Sequence, residues 1–211
     1  MKDKLIRSFK IAPITMGIIV ICVMTYIISF ILFGETMNVY EGLFFGGYNP
    51  VIVHEYHEYY RLLTANFIHF GIMHIAVNCY SLYGIGMFIE RSLKTRKYLI
   101  VLLISALSTT GLPYLLYLLN GFEANTVSGG VSGVIFGLIG SLGALAVYYK
   151  NIFMSIFKQL STNLILMLVI SFLVPSISLS GHICGFIGGF VATYMIIYFT
   201  HKKNTNQHLV N

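Results

Sequence analysis

The sequence predicts an all-α integral membrane protein, a bundle of six transmembrane helices with one long, membrane-associated first outer loop. Of its 211 residues, 57% are hydrophobic and only 9% are charged, whereas soluble domains carry about 25% charged residues. Mean hydropathy is +0.81. A bilayer core about 30 Å thick needs about 20 apolar residues per helix. The stretches of that kind are approximately 13–33, 70–89, 98–119, 127–149, 161–178 and 182–200. Residues 1–211 are therefore expected to form a single membrane domain, with no cytosolic accessory domain.

The first stretch is expected to remain in the mature protein as a membrane span. Its apolar run is longer than the 7–15 residues of a signal-peptide core, and no A-x-A-like cleavage site follows it.

Basic residues predict the orientation. With a cytoplasmic N-terminus, only Arg61 of the 13 Lys and Arg residues lies outside, as the positive-inside rule requires. The other 12 fall in inner segments: Lys2, Lys4, Arg7, Lys10, Arg91, Lys94, Arg96, Lys97, Lys150, Lys158, Lys202 and Lys203. We expect a multi-pass protein of a bacterial cell membrane with both termini cytoplasmic. The net charge of +6 then reflects topology and attraction to anionic lipids, not nucleic-acid binding.

The outer segment 34–69 is the one long connection between predicted spans. Its aromatic residues are Tyr40, Phe44, Phe45, Tyr48, Tyr56, Tyr59 and Tyr60. Aromatic rings with a polar tip settle at the headgroup level of a bilayer. We therefore expect this loop to lie in or on the outer leaflet.

The fourth and sixth stretches share a pattern of small residues. Glycines recur every fourth position as Gly129, Gly133 and Gly137 in the fourth, and as Gly181, Gly185 and Gly189 in the sixth. Such spacing lets the backbones of membrane helices approach closely. If the two seams face each other, Ser132 and His182 come together at the outer end.

Ser132 is the candidate nucleophile, in the segment Gly130-Val131-Ser132-Gly133. The flanking Gly130 and Gly133 leave its hydroxyl uncrowded and let backbone N–H groups reach a developing oxyanion. A helix that continues inward from Thr126 would place it about 9 Å below the outer surface. Ser128 is a competing nucleophile, and a serine in a membrane helix can also serve packing alone.

His182 is the candidate general base. An ionisable side chain inside a membrane is costly and indicates a functional site by default, although a histidine bonded to a carbonyl at a helix start is the alternative. No carboxylate lies in the interior of any predicted span. The arrangement is therefore a serine–histidine dyad, without the third member of a triad.

The second stretch adds His69, His74 and Asn78. His74 and Asn78 are four residues apart and share one helix face, at a depth that brackets Ser132. An imidazole and an amide facing an acyl-transfer site can donate to the oxyanion, although Asn78 can instead bond neighbouring helices. His69 lies nearer the surface and is the weaker candidate.

No metal or cofactor is expected. His54 and His57 flank a glutamate, but H-E-x-x-H zinc motifs need histidines at i and i+4, and these are at i and i+3. The cysteines Cys22, Cys79 and Cys184 all fall within predicted spans and form no C-x-x-C pair. We interpret them as small, buried apolar residues.

Together these motifs resemble those of the rhomboid intramembrane serine proteases, from about Tyr60 to Phe190. The shared motifs are G-x-S-G opening the fourth span, a last-span histidine with glycines at +3 (Gly185) and +7, and H-x4-H-x3-N in the second. The resemblance implies Ser132 as nucleophile, His182 as general base, and His74 and Asn78 as oxyanion ligands. Glu90-Arg91 resembles the polar pair that follows the second span of the family.

The chain departs from the family at two positions. The outer loop has Tyr60-Arg61 where the family often has Trp-Arg, and Ser178 stands where many members place an acid. The family also implies that substrate enters beside the fifth span, which contains Pro175.

The sequence thus favours a serine endopeptidase that cleaves single-span or multi-span membrane proteins in or near their transmembrane segments, close to the outer face. A non-catalytic membrane scaffold is the first alternative, but such relatives typically lose the serine or the histidine, and both are present. A transporter or channel is the second, but the polar groups lie near one face and no relay continues inward. The bilayer is an expected partner and nucleic acid is not. Nothing in the sequence indicates an oligomeric state.

Overall fold

The computed structural model describes residues 2–173 and 178–208, and this part of the chain is helical, without a β-strand. The helices are α1 (Lys2–Ile11), α2 (Pro13–Phe33), α3 (Val39–Phe44), α4 (Pro50–Glu55), α5 (Arg61–Thr64), α6 (Ile72–Ser81), α7 (Met87–Leu93), α8 (Thr95–Asn120), α9 (Ser132–Tyr148), α10 (Lys150–Leu173) and α11 (Leu179–His208). A 3₁₀ turn, Ala65–Phe67, follows α5, and a π-helical segment, Leu82–Gly86, joins α6 to α7. The all-α prediction is confirmed.

Four helices in the described residues are long and apolar enough to cross a membrane. They are Pro13–Phe33, Ile72–Leu93, Thr95–Asn120 and Leu179–Lys202. Apolar side chains on their outer surfaces are exposed, for example Ile31 at 75% and Leu119 at 80%. A multi-pass membrane protein accounts for both the length of these helices and their apolar exteriors.

Helix α9 is the centre of the bundle. Of its 17 residues, 14 are buried, and nearly all of these are apolar or glycine. A helix that is apolar on all sides belongs in the interior of a bundle. Helix α9 is therefore enclosed by other helices, although with 17 residues it is shorter than the four long apolar helices.

The prediction of a helix from 127 to 149 was wrong at its outer end, because α9 begins at Ser132. Gly130 has a φ of +118°, a left-handed conformation that interrupts any helix before it. Ser128 instead pairs with Tyr48 in a β-bridge, whose two backbone hydrogen bonds have N···O distances of 2.8 and 2.9 Å. The depth estimated for Ser132 from helical rise therefore does not hold.

Helix α10 contains most of the fifth predicted stretch, 161–178, and starts before it. Helix α10 begins at Lys150, since a helix can continue beyond the apolar residues that hydropathy detects. Residues 174–177 of that predicted stretch, which include Pro175, lie outside the described residues. The other spans differ from the predicted 70–89, 98–119 and 182–200 only by a few terminal residues.

The glycine seams of α9 and α11 face each other, as their spacing predicted. A side chain at Gly140 would meet the backbone of Phe186, and one at Gly189 would meet the backbone of Gly137. Further along, Thr193 donates a 2.7 Å hydrogen bond to the Ser141 hydroxyl, both fully buried. Close backbone contact between these two helices is what the glycines permit.

The outer segment between α2 and α6 folds into α3, α4, α5 and the 3₁₀ turn. Arg61 is 6% exposed and donates 2.7 Å hydrogen bonds to the carbonyls of Leu43 and Gly47. It also pairs with Glu58, and this hydrogen bond holds the pKa of the Glu58 carboxyl below its usual value. The buried guanidinium of Arg61 therefore joins α5 to the end of α3 and the turn after it, while Tyr40 remains exposed.

The carboxylate of Glu90 caps the start of α2. Glu90 is 1% exposed and accepts from the N–H groups of Ile14 (3.1 Å) and Thr15 (2.9 Å) and from the Thr15 hydroxyl (2.8 Å). These N–H groups are the ones that a helix start leaves without intrahelical partners. A negative charge at that end also complements the helix dipole.

Replacing Glu90 by glutamine is expected to lower the free energy of unfolding by about 1.5–3 kcal/mol, the range for hydrogen bonds to a charged group. The neutral amide keeps one acceptor oxygen but loses the charge and places a donor against N–H groups. The measurement is the thermal unfolding midpoint in detergent micelles. Arg91→Gln, an exposed neighbour, is the control; equal shifts in the two variants would contradict the capping role.

Candidate functional site

Ser132 and His182 are hydrogen-bonded, with 2.8 Å between His182 Nε2 and Ser132 Oγ. Ser132 is the first residue of α9, and His182 lies in the first turn of α11. The histidine is 4% exposed, whereas the serine is half-buried. The contact joins residues 50 positions apart, so it exists only because the two helix starts are adjacent.

Phe136 stacks on the imidazole of His182, with ring centroids 4.1 Å apart and planes 8° from parallel. It lies one helical turn after Ser132, so its ring and the serine side chain share one face of α9. The stack fixes the plane of the imidazole and directs its Nε2 to the hydroxyl. Sequence reasoning missed this residue, although an aromatic four positions after the serine was a usable signal.

The side chains of His74 and Asn78 approach the backbone of Gly130. A Cβ atom at Gly130 would lie 2.8 Å from His74 Nε2 and 3.7 Å from Asn78 Nδ2. With its φ of +118°, Gly130 is a position that only glycine occupies without strain and without a clash. The two polar side chains therefore converge on the segment that leads directly into Ser132.

His69 supports the same segment. It is 1% exposed, with Nδ1 3.2 Å from the Phe67 carbonyl, and the N–H of Val131 points to its Nε2 at 3.5 Å. An imidazole that donates through Nδ1 and accepts through Nε2 satisfies both contacts. The ring centroid of His69 lies 5.0 Å from that of His74, so the two imidazoles are neighbours.

The Ser132–His182 pair lies in a cavity that is open to the surface of the protein. Its walls are small or polar, and include His74, Asn66 and Thr109. Asn66 is 2% exposed and donates to the carbonyls of Leu63 (3.0 Å) and Ala106 (3.4 Å), while its Oδ1 has no hydrogen-bond partner in the described part of the chain. Sequence reasoning did not find Asn66, because it belongs to none of the recognised spacings.

The family model of the Rhomboid domain matches residues 56–199. The chain belongs to the rhomboid family. It is 28% identical over 135 residues to "Rhomboid protease GlpG" of Salmonella choleraesuis (strain SC-B67), and 29% identical over 135 residues to the protein of the same name from Salmonella newport (strain SL254). Each alignment covers 62% of this chain and 43% of the relative, so the chain matches less than half the length of these rhomboid relatives.

Ser128 lines the same cavity but is held differently. Its backbone forms both hydrogen bonds of the bridge to Tyr48. The hydrogen bond of the His182 imidazole runs to Ser132. Of the two serines considered in the sequence, the geometry therefore pairs Ser132 with a base.

Gly133 and Gly185 let this rhomboid chain bring its two helix starts together. A Cβ at Gly185 would lie 2.8 Å from the Thr109 hydroxyl and still closer to the Gly133 carbonyl. A Cβ at Gly133 would likewise clash with the side chain of Thr109, which belongs to α8. Larger residues at either position would separate Ser132 from His182. Gly133 directly follows Ser132, and Gly185 lies within one helical turn of His182.

The arrangement has the parts that acyl transfer needs. A hydroxyl is bonded to an imidazole that can take its proton, and an aromatic ring orients that imidazole. His74 lines the cavity that contains Ser132, and the side chains of His74 and Asn78 both lie near Gly130, so groups that can donate to an oxyanion are close to the hydroxyl.

Proposed function

We propose that this rhomboid chain is an intramembrane serine endopeptidase that uses a Ser132–His182 dyad. It hydrolyses peptide bonds in or near the transmembrane segments of membrane proteins, close to the outer face. The observation that carries the proposal is the 2.8 Å hydrogen bond between His182 Nε2 and Ser132 Oγ, in an open cavity that small and polar residues line. The relatives named as rhomboid proteases add support.

In the proposed reaction, His182 takes the hydroxyl proton as Ser132 attacks the scissile carbonyl. The tetrahedral intermediate carries its negative charge toward the N–H groups at the start of α9 and toward His74 and Asn78. His182 then donates the proton to the leaving amine, and an acyl-enzyme remains on Ser132. Water, deprotonated by His182, then attacks the carbonyl of the ester. The second tetrahedral intermediate collapses, His182 returns the proton to the Ser132 oxygen, and the carboxyl product is released.

The proposed topology places the site at the outer membrane face. Helices α9 and α10 join the four long apolar helices as a six-span bundle, with both termini in the cytoplasm. The distribution of 12 basic residues on the inner side against Arg61 outside supports this orientation. Exposed aromatics of the outer segment, such as Tyr40 and Phe44, support its proposed position in the outer leaflet.

The proposed substrates are single-span or multi-span proteins of the same membrane. A transmembrane helix hides its carbonyls in intrahelical hydrogen bonds. The substrate must therefore unwind locally before its carbonyl reaches Ser132, which favours small or helix-breaking residues near the cut.

The proposal is tested with the purified protein in lipid vesicles. We expect cleavage of a single-span reporter, and we expect a fluorophosphonate probe to label Ser132, as located by mass spectrometry of the labelled peptide. Absence of both cleavage and labelling in the wild type would favour a non-catalytic membrane scaffold. Labelling of Ser128 in place of Ser132 would refute the assigned nucleophile.

Replacing Asn78 or His74 by alanine is expected to lower kcat for the reporter by about 10²–10³-fold, the usual loss for one oxyanion donor. KM is expected to change little, because the charge appears only in the transition state. Val77→Ala is the control, since Val77 lies on the same helix and is 51% exposed. A rise in KM without a fall in kcat would assign these residues to substrate binding instead.

A further inference from the structure

A carboxylate joins the two segments that carry Ser132 and His182. Glu123 lies in the loop that leads to Ser132, and Ser180 lies in the first turn of α11. The Ser180 hydroxyl is 2.8 Å from both Oε1 and Oε2 of Glu123. This contact spans 57 positions in the sequence and ends two residues before the histidine.

The hydrogen bonds around this contact run in one consistent direction. The N–H of Gly181 donates to the Ser178 hydroxyl at 3.0 Å, and the hydroxyls of Ser178 and Ser180 are 3.3 Å apart. Each hydroxyl can therefore donate to the next acceptor, and the chain ends on the Glu123 carboxylate. The Ser178 carbonyl also accepts the N–H of His182 at 3.2 Å, so the backbone of the histidine belongs to the same hydrogen-bonded turn.

The loop presents Glu123 from a fixed position. Glu123 has a φ of +57°, which is unfavourable for a residue other than glycine and persists only where neighbouring contacts impose it. The Asn49 amide donates to the carbonyls of Ala124 (3.0 Å) and Thr126 (2.8 Å). The Thr126 hydroxyl donates in turn to the Glu123 carbonyl at 2.7 Å.

We infer that Glu123 is a positioning residue for the reaction proposed above. Its carboxylate fixes the first turn of α11 against the loop before Ser132, and so sets the approach of the imidazole to the hydroxyl. A negative charge at the N-terminal end of α11 is also favoured by the helix dipole. The inference rests on the proposed protease function, because only a reacting dyad needs this alignment.

The test compares Glu123→Gln, Glu123→Asp and Ser180→Ala with the wild type. Glu55→Gln is the matched control, an exposed outer glutamate. We expect Glu123→Gln and Ser180→Ala to lower both kcat and the rate of fluorophosphonate labelling at Ser132 by about 10–100-fold, with KM nearly unchanged, as misalignment of reacting groups does. Glu123→Asp retains the charge and is expected to recover part of the labelling rate.

The labelling rate separates this role from a structural one, since it is measured per folded molecule, with folding followed by the thermal midpoint. Wild-type labelling rates in the folded Glu123→Gln and Ser180→Ala variants would overturn the inference while the wild type still cleaves the reporter. Loss of signal that follows only the folded fraction would overturn it equally. A wild type that neither cleaves nor labels would instead contradict the proposed function.

Discussion

Cleavage of a single-span reporter in lipid vesicles is expected to fall to the uncatalysed background when Ser132 is replaced by alanine. The expected loss is about 10⁴-fold or more in kcat, because no other group in the proposed reaction can form the acyl-enzyme. His182→Ala is expected to lose nearly as much, since the hydroxyl is a poor nucleophile without the base 2.8 Å from it.

The double variant sharpens this prediction. Members of one catalytic unit fail together, so Ser132→Ala combined with His182→Ala is expected to be no slower than either single variant. Ser92→Ala, at an exposed serine in the last turn of α7, is expected to keep wild-type activity. Retained cleavage in Ser132→Ala with loss in Ser128→Ala would transfer the nucleophile to Ser128.

Replacing Gly189 by alanine is expected to lower both the free energy of unfolding and reporter cleavage, although the substitution changes neither member of the dyad. Its new Cβ would overlap the carbonyl and Cα of Gly137, which are backbone atoms that cannot rotate away. Helices α9 and α11 must then separate. We expect the free energy of unfolding to fall by about 1–3 kcal/mol, as overpacking typically costs, and reporter cleavage to fall because the separation lengthens the contact between Ser132 and His182.

The matched control for this prediction is Gly111→Ala. A Cβ at Gly111, which lies inside α8, would meet no atom within 4 Å. Alanine in an open helical position is expected to stabilise by about 0.5–1 kcal/mol relative to glycine. Thermal midpoints and reporter cleavage are measured for both variants; equal behaviour would mean that close contact along the seam does not align the dyad.

Local composition made several features of this protein predictable. Hydropathy depends only on the residues within a stretch, so the all-α class and the long apolar helices could be predicted from the sequence. The four-residue spacing of small residues predicted which faces of α9 and α11 meet, because close packing in a membrane selects such residues. The unusual polarity of His182 within an apolar stretch indicated a site in the same way.

Contacts between distant positions could not be predicted in this manner. Asn66 carries no unusual local signal, and nothing in the sequence pairs Glu90 with Thr15 or Glu123 with Ser180. The start of α9 was also misjudged. The left-handed Gly130 and the bridge from Ser128 to Tyr48 depend on a segment that lies about 80 residues earlier in the chain.

The sequence by itself therefore determined the all-helical class, the long stretches that are apolar enough for a bilayer, and Ser132, His182, His74 and Asn78 as candidates for chemistry. The tertiary structure decided where α9 begins, which serine faces the imidazole, and which side chains hold both in place. The division has a physical reason. Helix formation and transfer to lipid depend on neighbours in the chain, whereas the alignment of two side chains depends on packing and hydrogen bonds between segments that meet only in the folded bundle.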